Sequence, residues 1–292
     1  MSEHPMRPVK ARPPSWGAHE ARTMDGAALL RRMVGDCLAQ VVPNADALAR
    51  GSVDPEHVHQ LRVGLRRLRS AARGMRPFAD ALPRGWEATL APVFDALGAA
   101  RDQHVLATTL TPALRRAGAP LAELGGASKE EARDVRARVR GAAFKRLIAQ
   151  LRDVASAAGD DGEPGAGLAH LVKQLRKLSL DVTRGAKDFD ELSFDERHDV
   201  RKRLKRLRYL AGFAAPAFDR SDVEAWMAAA SATQDALGKH VDRVLAARRF
   251  EAVAAHDARA WFAVGWLRAK GKRSAKDARK SLRRLHHARP FW

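Results

Sequence analysis

A histidine followed at helical intervals by arginine or lysine occurs twice in this chain, and those residue types at that spacing can hold a polyanion. The first stretch runs from His59 through Arg62, Arg66, Arg67 and Arg69 to Arg73. The second runs from His198 through Arg201, Lys205 and Arg206 to Arg208. At about 100° per residue, His59, Arg62, Arg66, Arg69 and Arg73 share one helical stripe of roughly 80°, opposite Leu61, Leu65, Leu68 and Ala72. His198, Arg201, Lys205 and Arg208 repeat the stripe, opposite Val200, Leu204, Leu207 and Ala211.

The chemistry these residues suit is the binding of clustered phosphates. A guanidinium fork grips non-bridging oxygens in pairs. Cations one helical turn apart, roughly 5 Å, track successive anionic groups. Like charges so placed repel one another by a few tenths of a kcal/mol per pair, a cost most simply offset by an anionic partner. An ordinary solvated helix face mixes signs, whereas neither stripe contains an acid. Each histidine stands at the edge of its stripe, either donating to a phosphate oxygen or tying its helix to a neighbour.

The helices that carry these residues begin alike. Asp54-Pro55-Glu56 offers an N-cap, a first-turn proline and an acid, and Ser193-Phe194-Asp195-Glu196 reads as a capping box. Apolar spacing predicts helices over about 26–50, 54–75, 84–100, 102–117, 128–158, 165–186, 194–214, 221–239, 241–254 and 258–288. No segment alternates with period two in β-branched or aromatic residues, so the fold class is all-α. Residues 1–24 read as a flexible basic tail, and Gly159–Gly165 as a connector between a first helical repeat (25–158) and a second (166–292). Leu97-Gly98…Asp102 and Leu237-Gly238…Asp242 recur at the same offset of about 140 residues as the histidine motifs, which points to an internal duplication. Each of these glycines is expected to end a helix, with the aspartate starting the next.

Further basic faces comprise Arg133, Arg136 and Arg140, then Lys173 and Arg176, then Lys276, Arg279 and Arg283. They form a secondary set for the same polyanion. The chain has 292 residues and a formal net charge of +19, which favours anionic partners. Cys37 is the single cysteine, which rules out an internal disulfide and a cysteine-based zinc cluster, and its apolar neighbours mark it as a small core residue. No apolar run approaches the ~18 residues of a membrane span and no leader is evident, so a soluble cytoplasmic protein is expected.

The paired His-x-x-Arg-x-x-x-[Arg/Lys]-Arg-x-Arg helices resemble those of the conserved histidine α-helical domain family, CHAD. The resemblance extends to the Leu-Gly…Asp pairs and to Trp261-Phe262-Ala263-Val264-Gly265-Trp266-Leu267, similar to the family's last helix. It implies two helical, four-helix-bundle-like units related by pseudo-twofold symmetry. It also implies binding of inorganic polyphosphate and association with polyphosphate granules. Carried residue by residue, the binding positions are His59, Arg62, Arg66, Arg67 and Arg69, and His198, Arg201, Lys205, Arg206 and Arg208. Lys205 replaces the fork of Arg66 with a point charge, and Gly212 stands opposite Arg73, so the two half-sites are not equivalent.

No cofactor is implied. His57 and His59 face different ways and no ligand set has metal spacing, so no metal is expected. Neither a Gly-x-Ser-x-Gly elbow nor a P-loop occurs, nor a Glu-x-Glu-x-Lys strand of the triphosphate-tunnel kind, so the expectation is a non-catalytic binder. The alternative is a nucleic-acid-binding protein that uses the same surface. Trp86, Trp226, Trp261 and Trp266 read as core, which leaves Tyr209 as the aromatic available for stacking and favours polyphosphate.

Overall fold

The computed structural model describes residues 6–120, 129–159, 162–187 and 189–292. Among the described residues there are eleven α-helices and no strand. The elements are α1 (Ala18–Thr23), α2 (Gly26–Ala49), α3 (Pro55–Gly74), α4 (Trp86–Val105), α5 (Thr111–Arg116), α6 (Lys129–Arg140), α7 (Ala142–Ser156), α8 (Ala166–Lys187), α9 (Phe194–Ala214), α10 (Arg220–Ala254) and α11 (Ala260–His287). The all-α expectation holds. No helix among the described residues is long and apolar enough to cross a membrane.

The chain divides into two compact units. The first takes in the described residues between Met1 and Thr109 and between Gly125 and Leu171; the second takes in those between Leu110 and Leu124 and from Val172 to Trp292. The division falls inside α8 rather than at the expected connector. Asp160 and Asp161 of that connector lie outside the described residues. Its glycines are bound into the first unit: Arg31 donates to the Gly159 carbonyl, Gly162 N–H to Asp25 and Gly165 N–H to Thr23.

In the first unit α2 is central, with Leu29, Leu30, Met33, Val34, Cys37 and Val41 all buried. The leucine face of α3 meets it, and Leu61, Leu65 and Leu68 are buried in turn. The two helices approach closely at Gly64, where a Cβ would stand 2.8 Å from Val41 Cγ2. Asp54 caps α3 by accepting from Glu56 N–H at 2.8 Å, with Pro55 in the first turn. The register of the basic stripe is thereby set from both ends, by the cap and by the buried leucines. Burial pushes the Cys37 thiol up to about 12, against the opposing charge of Arg67, so this cysteine is an inert core residue.

Of the flexible tail expected over residues 1–24, the first five residues lie outside the described residues, and the rest departs from that expectation. From Met6 onward it is a strap held on α2 and α3. Val9 N–H donates to Asn44 Oδ1 at 3.2 Å and Asn44 Nδ2 donates to the Val9 carbonyl at 2.8 Å. The buried ring of His57 lies 3.0 Å from Asn44 Oδ1 and 2.9 Å from the Met6 carbonyl. Trp16 is only 4% exposed. A buried indole and a buried amide that pairs with backbone in both directions outweigh the Pro- and Arg-rich composition of the segment.

In the second unit α10 and α11 form a long antiparallel hairpin, locked along its length by Thr233 Oγ1 donating to the Ser281 carbonyl at 3.0 Å and by Arg268–Glu251 at 2.8 Å. Trp226, Phe291 and Trp292 close its far end through edge-on ring contacts. The α9 helix begins at the expected capping box of Ser193 and Glu196. It buries Val200, Leu204, Leu207 and Ala211.

Two sequence-based helix ends are corrected. Gly98 lies inside α4 and Gly238 inside α10, so neither terminates a helix. The expected 128–158 helix is instead broken at Gly141 into α6 and α7.

Candidate functional site

Each unit presents its own basic stripe. On α3, His59, Arg62, Arg66 and Arg69 are half-buried and Arg73 is exposed. The Arg62 guanidinium lies against the backbone of α4 at Gly98, where a Cβ would stand 2.6 Å from Nη1. On α9, the Arg201 guanidinium lies against α10 at Gly238, 3.4 Å from the equivalent position. Its Nη2 donates to Asp242 Oδ1 at 3.2 Å, and its side chain is only 18% exposed. Gly238 and Asp242 are one turn apart and so face Arg201 together. In both units the glycine of the recurring Leu-Gly…Asp pattern gives the guanidinium its gap, and in the second the acid one turn on pairs with the arginine.

His59 and His198 make no hydrogen bond among the described residues. Burial is the first cause that holds both imidazoliums below their usual range. At His59 the charges of Arg101, Arg66 and Arg62 add to it, with Glu56 opposing. At His198 Lys202, Arg201 and Lys205 add to it, with Asp199 opposing. A negative charge placed beside such a half-buried ring would oppose these causes and favour its protonated form. The His198 ring is also tilted over Phe194, 6.3 Å between centroids.

Acids from neighbouring helices enter both stripes, although neither stripe contains one. Arg73 is gripped by Glu87 of α4 through bonds of 2.6 and 3.1 Å. Arg69 lies over the Phe94 ring at 4.9 Å, and Arg208 donates to Gln234 at 3.0 Å. No cluster of three or more His, Cys, Asp or Glu side chains suited to an ion occurs among the described residues.

The chain matches the family model of the CHAD domain over residues 32–251. It belongs to the CHAD family. The crystal structure of the CHAD domain from the plant Ricinus communis matches with a TM-score of 0.74 at 22% identity, over 95% of this chain and 96% of that one. The two proteins therefore share a fold. No curated protein matches the chain. The family match ends at Glu251, so the Trp261–Leu267 segment that resembled the family's last helix lies beyond the matched residues.

Within this CHAD domain the sequence-derived residues separate into three groups. His59, Arg62 and Arg66 stand together on α3, and His198, Arg201 and Lys205 on α9. Arg67 leaves the site. It is 8% exposed and donates to Gln40 Oε1 at 3.1 Å, at the end of an amide chain that runs through Gln60 to Glu56. One residue past Arg66 is about 100° around the helix, which turns Arg67 towards α2. Its counterpart Arg206 is half-buried.

Of the secondary set, Arg133, Arg140, Lys173, Arg176, Lys276 and Arg283 are exposed. Arg136 donates to the Ala49 carbonyl at 3.3 Å, and Arg279 pairs with Asp190. Arg101 is the cation sequence reasoning missed. It lies near enough to His59 to be the leading charge on it, and its signal was present three residues after Gly98.

Proposed function

We propose that this CHAD domain binds inorganic polyphosphate without catalysis, through the α3 stripe of one unit and the α9 stripe of the other. The observation that carries the reading is the arrangement around His59. A ring that makes no hydrogen bond among the described residues lies among the charges of Arg101, Arg66 and Arg62, with Arg62 seated over a glycine of the neighbouring helix. A phosphate there meets several cations at once, without bases or sugars being needed for recognition. Membership in the CHAD family supports polyphosphate as the polymer. The shared Arg-over-Gly geometry supports duplication of an ancestral unit. Granule association in the cytoplasm is the cellular role that follows from this ligand.

The test is competition for labelled long-chain polyphosphate by short polyphosphate, single-stranded DNA and duplex DNA at matched phosphate concentration. The same series is run on the variant with Arg62, Arg66, Arg201 and Lys205 changed to alanine. Polyphosphate should win against both DNAs, and the quadruple variant should lose that preference. Equal competition by DNA per phosphate, or unchanged binding by the variant, would sink the reading.

A further inference from the structure

Helix α11 presents a second surface of different chemistry. Its apolar face, with Val264, Leu267, Leu282 and Leu285, is buried. Its outer face carries Trp261, 55% exposed, and Phe262, 39% exposed, where the sequence pattern had placed Trp261 in the core. Beyond these rings come the exposed cations Lys272, Arg273, Lys276, Lys280 and Arg283. At about 100° per residue, rings and cations together fall within an arc of roughly 120°. They extend over roughly 33 Å of helix at about 1.5 Å per residue. The five cations take part in no ion pair among the described residues, and Asp277 is the sole acid of the helix. Between rings and cations lie Gly265 and Ala269, and a Cβ built on Gly265 meets nothing within 4 Å.

We propose that this face binds single-stranded nucleic acid, with bases stacking on Trp261 and Phe262 and the backbone following the cations towards the C-terminal end of the helix. Each component has a partner in such a strand. An exposed indole beside an exposed phenyl offers a π-face that any base can cover. Lys272, Lys276 and Lys280 recur every turn, which suits a repeating phosphate. Polyphosphate would use the cations and leave the rings idle. A lipid surface would need an apolar stripe along the helix, and the one that exists is already buried against the protein. None of its residues belongs to the α3 or α9 stripe, so its test does not depend on them.

The experiment is fluorescence anisotropy of the full chain with labelled oligo(dT) and labelled polyphosphate. Three variants are compared with the parent: W261A/F262A, W261Y/F262Y, and the quadruple alanine variant of the motif helices. W261A/F262A should weaken oligo(dT) about tenfold or more while leaving polyphosphate unchanged, and the tyrosine pair should restore most of the loss. The motif variant should keep oligo(dT) binding even if it loses polyphosphate. The proposal is overturned if W261A/F262A binds oligo(dT) like the parent, or if the motif variant loses it. It is also overturned if the ring variants change only co-sedimentation with phosphatidylserine vesicles, which would make the face a membrane contact.

Discussion

Arg62 and Gly98 are a matched pair: the guanidinium of one fills the space a side chain would take on the other, 2.6 Å from the missing Cβ. Arg201 and Gly238 stand in the same relation at 3.4 Å. The arginine at the fourth position of each motif is therefore positioned by a neighbouring helix and is not left to solvent. The clearance differs between the two pairs, so the two arginines are held unequally.

Gly98→Ala should displace Arg62, because 2.6 Å is too close for a methyl group and the guanidinium end is what can move. Polyphosphate affinity should fall several-fold with little change in stability, since alanine gains about 1 kcal/mol over glycine inside a helix. Gly238→Ala, at an ordinary contact distance, should stabilise the chain by up to about 1 kcal/mol and leave Arg201 in place. Urea denaturation and binding isotherms of the two variants separate these effects.

The pH dependence of stability and of binding should run in opposite directions. His59, His198 and His240 are all held below the usual histidine range, first by burial and then by nearby cations. As pH falls through about 6.5 the unfolded chain takes up protons that the folded chain refuses, so stability drops on acidification. A bound polyanion favours the imidazolium, so polyphosphate affinity should rise over the same range. His59→Gln with His198→Gln should flatten the binding profile but retain the part of the stability profile due to His240. Binding that weakens on acidification would contradict the assignment.

Glu87→Gln should release Arg73 from its two-pronged pair and lengthen the α3 stripe. The pair is about two-fifths exposed at both side chains, so its loss should cost no more than about 1 kcal/mol. Polyphosphate affinity at low salt should rise about two- to threefold, with a steeper salt dependence. A salt titration of binding, parent against variant, gives the answer.

Trp16→Ala should destabilise the first unit by about 3 kcal/mol, as expected for removing a buried indole. A truly loose N-terminus would show no change in the denaturation midpoint.

Much of the molecule was legible in local spacing. The leucine faces of α3 and α9, their caps at Asp54 and Ser193, and the stripes from His59 and His198 depend on periodicity and first-turn chemistry, which a linear sequence carries in full. The all-α class follows from the same periodicity. What a single helix cannot report is who faces it. Tertiary packing decided that Glu87 and Asp242 reach arginines from other helices, that Arg67 turns inward to Gln40, and that Gly98 and Gly238 are gaps for guanidinium groups, not helix ends. It decided also that Trp261 is outside and Trp16 inside, against the composition around each. The reason is physical: hydrogen bonds along a helix are set by near neighbours, whereas burial and ion pairing depend on atoms brought together from distant parts of the chain.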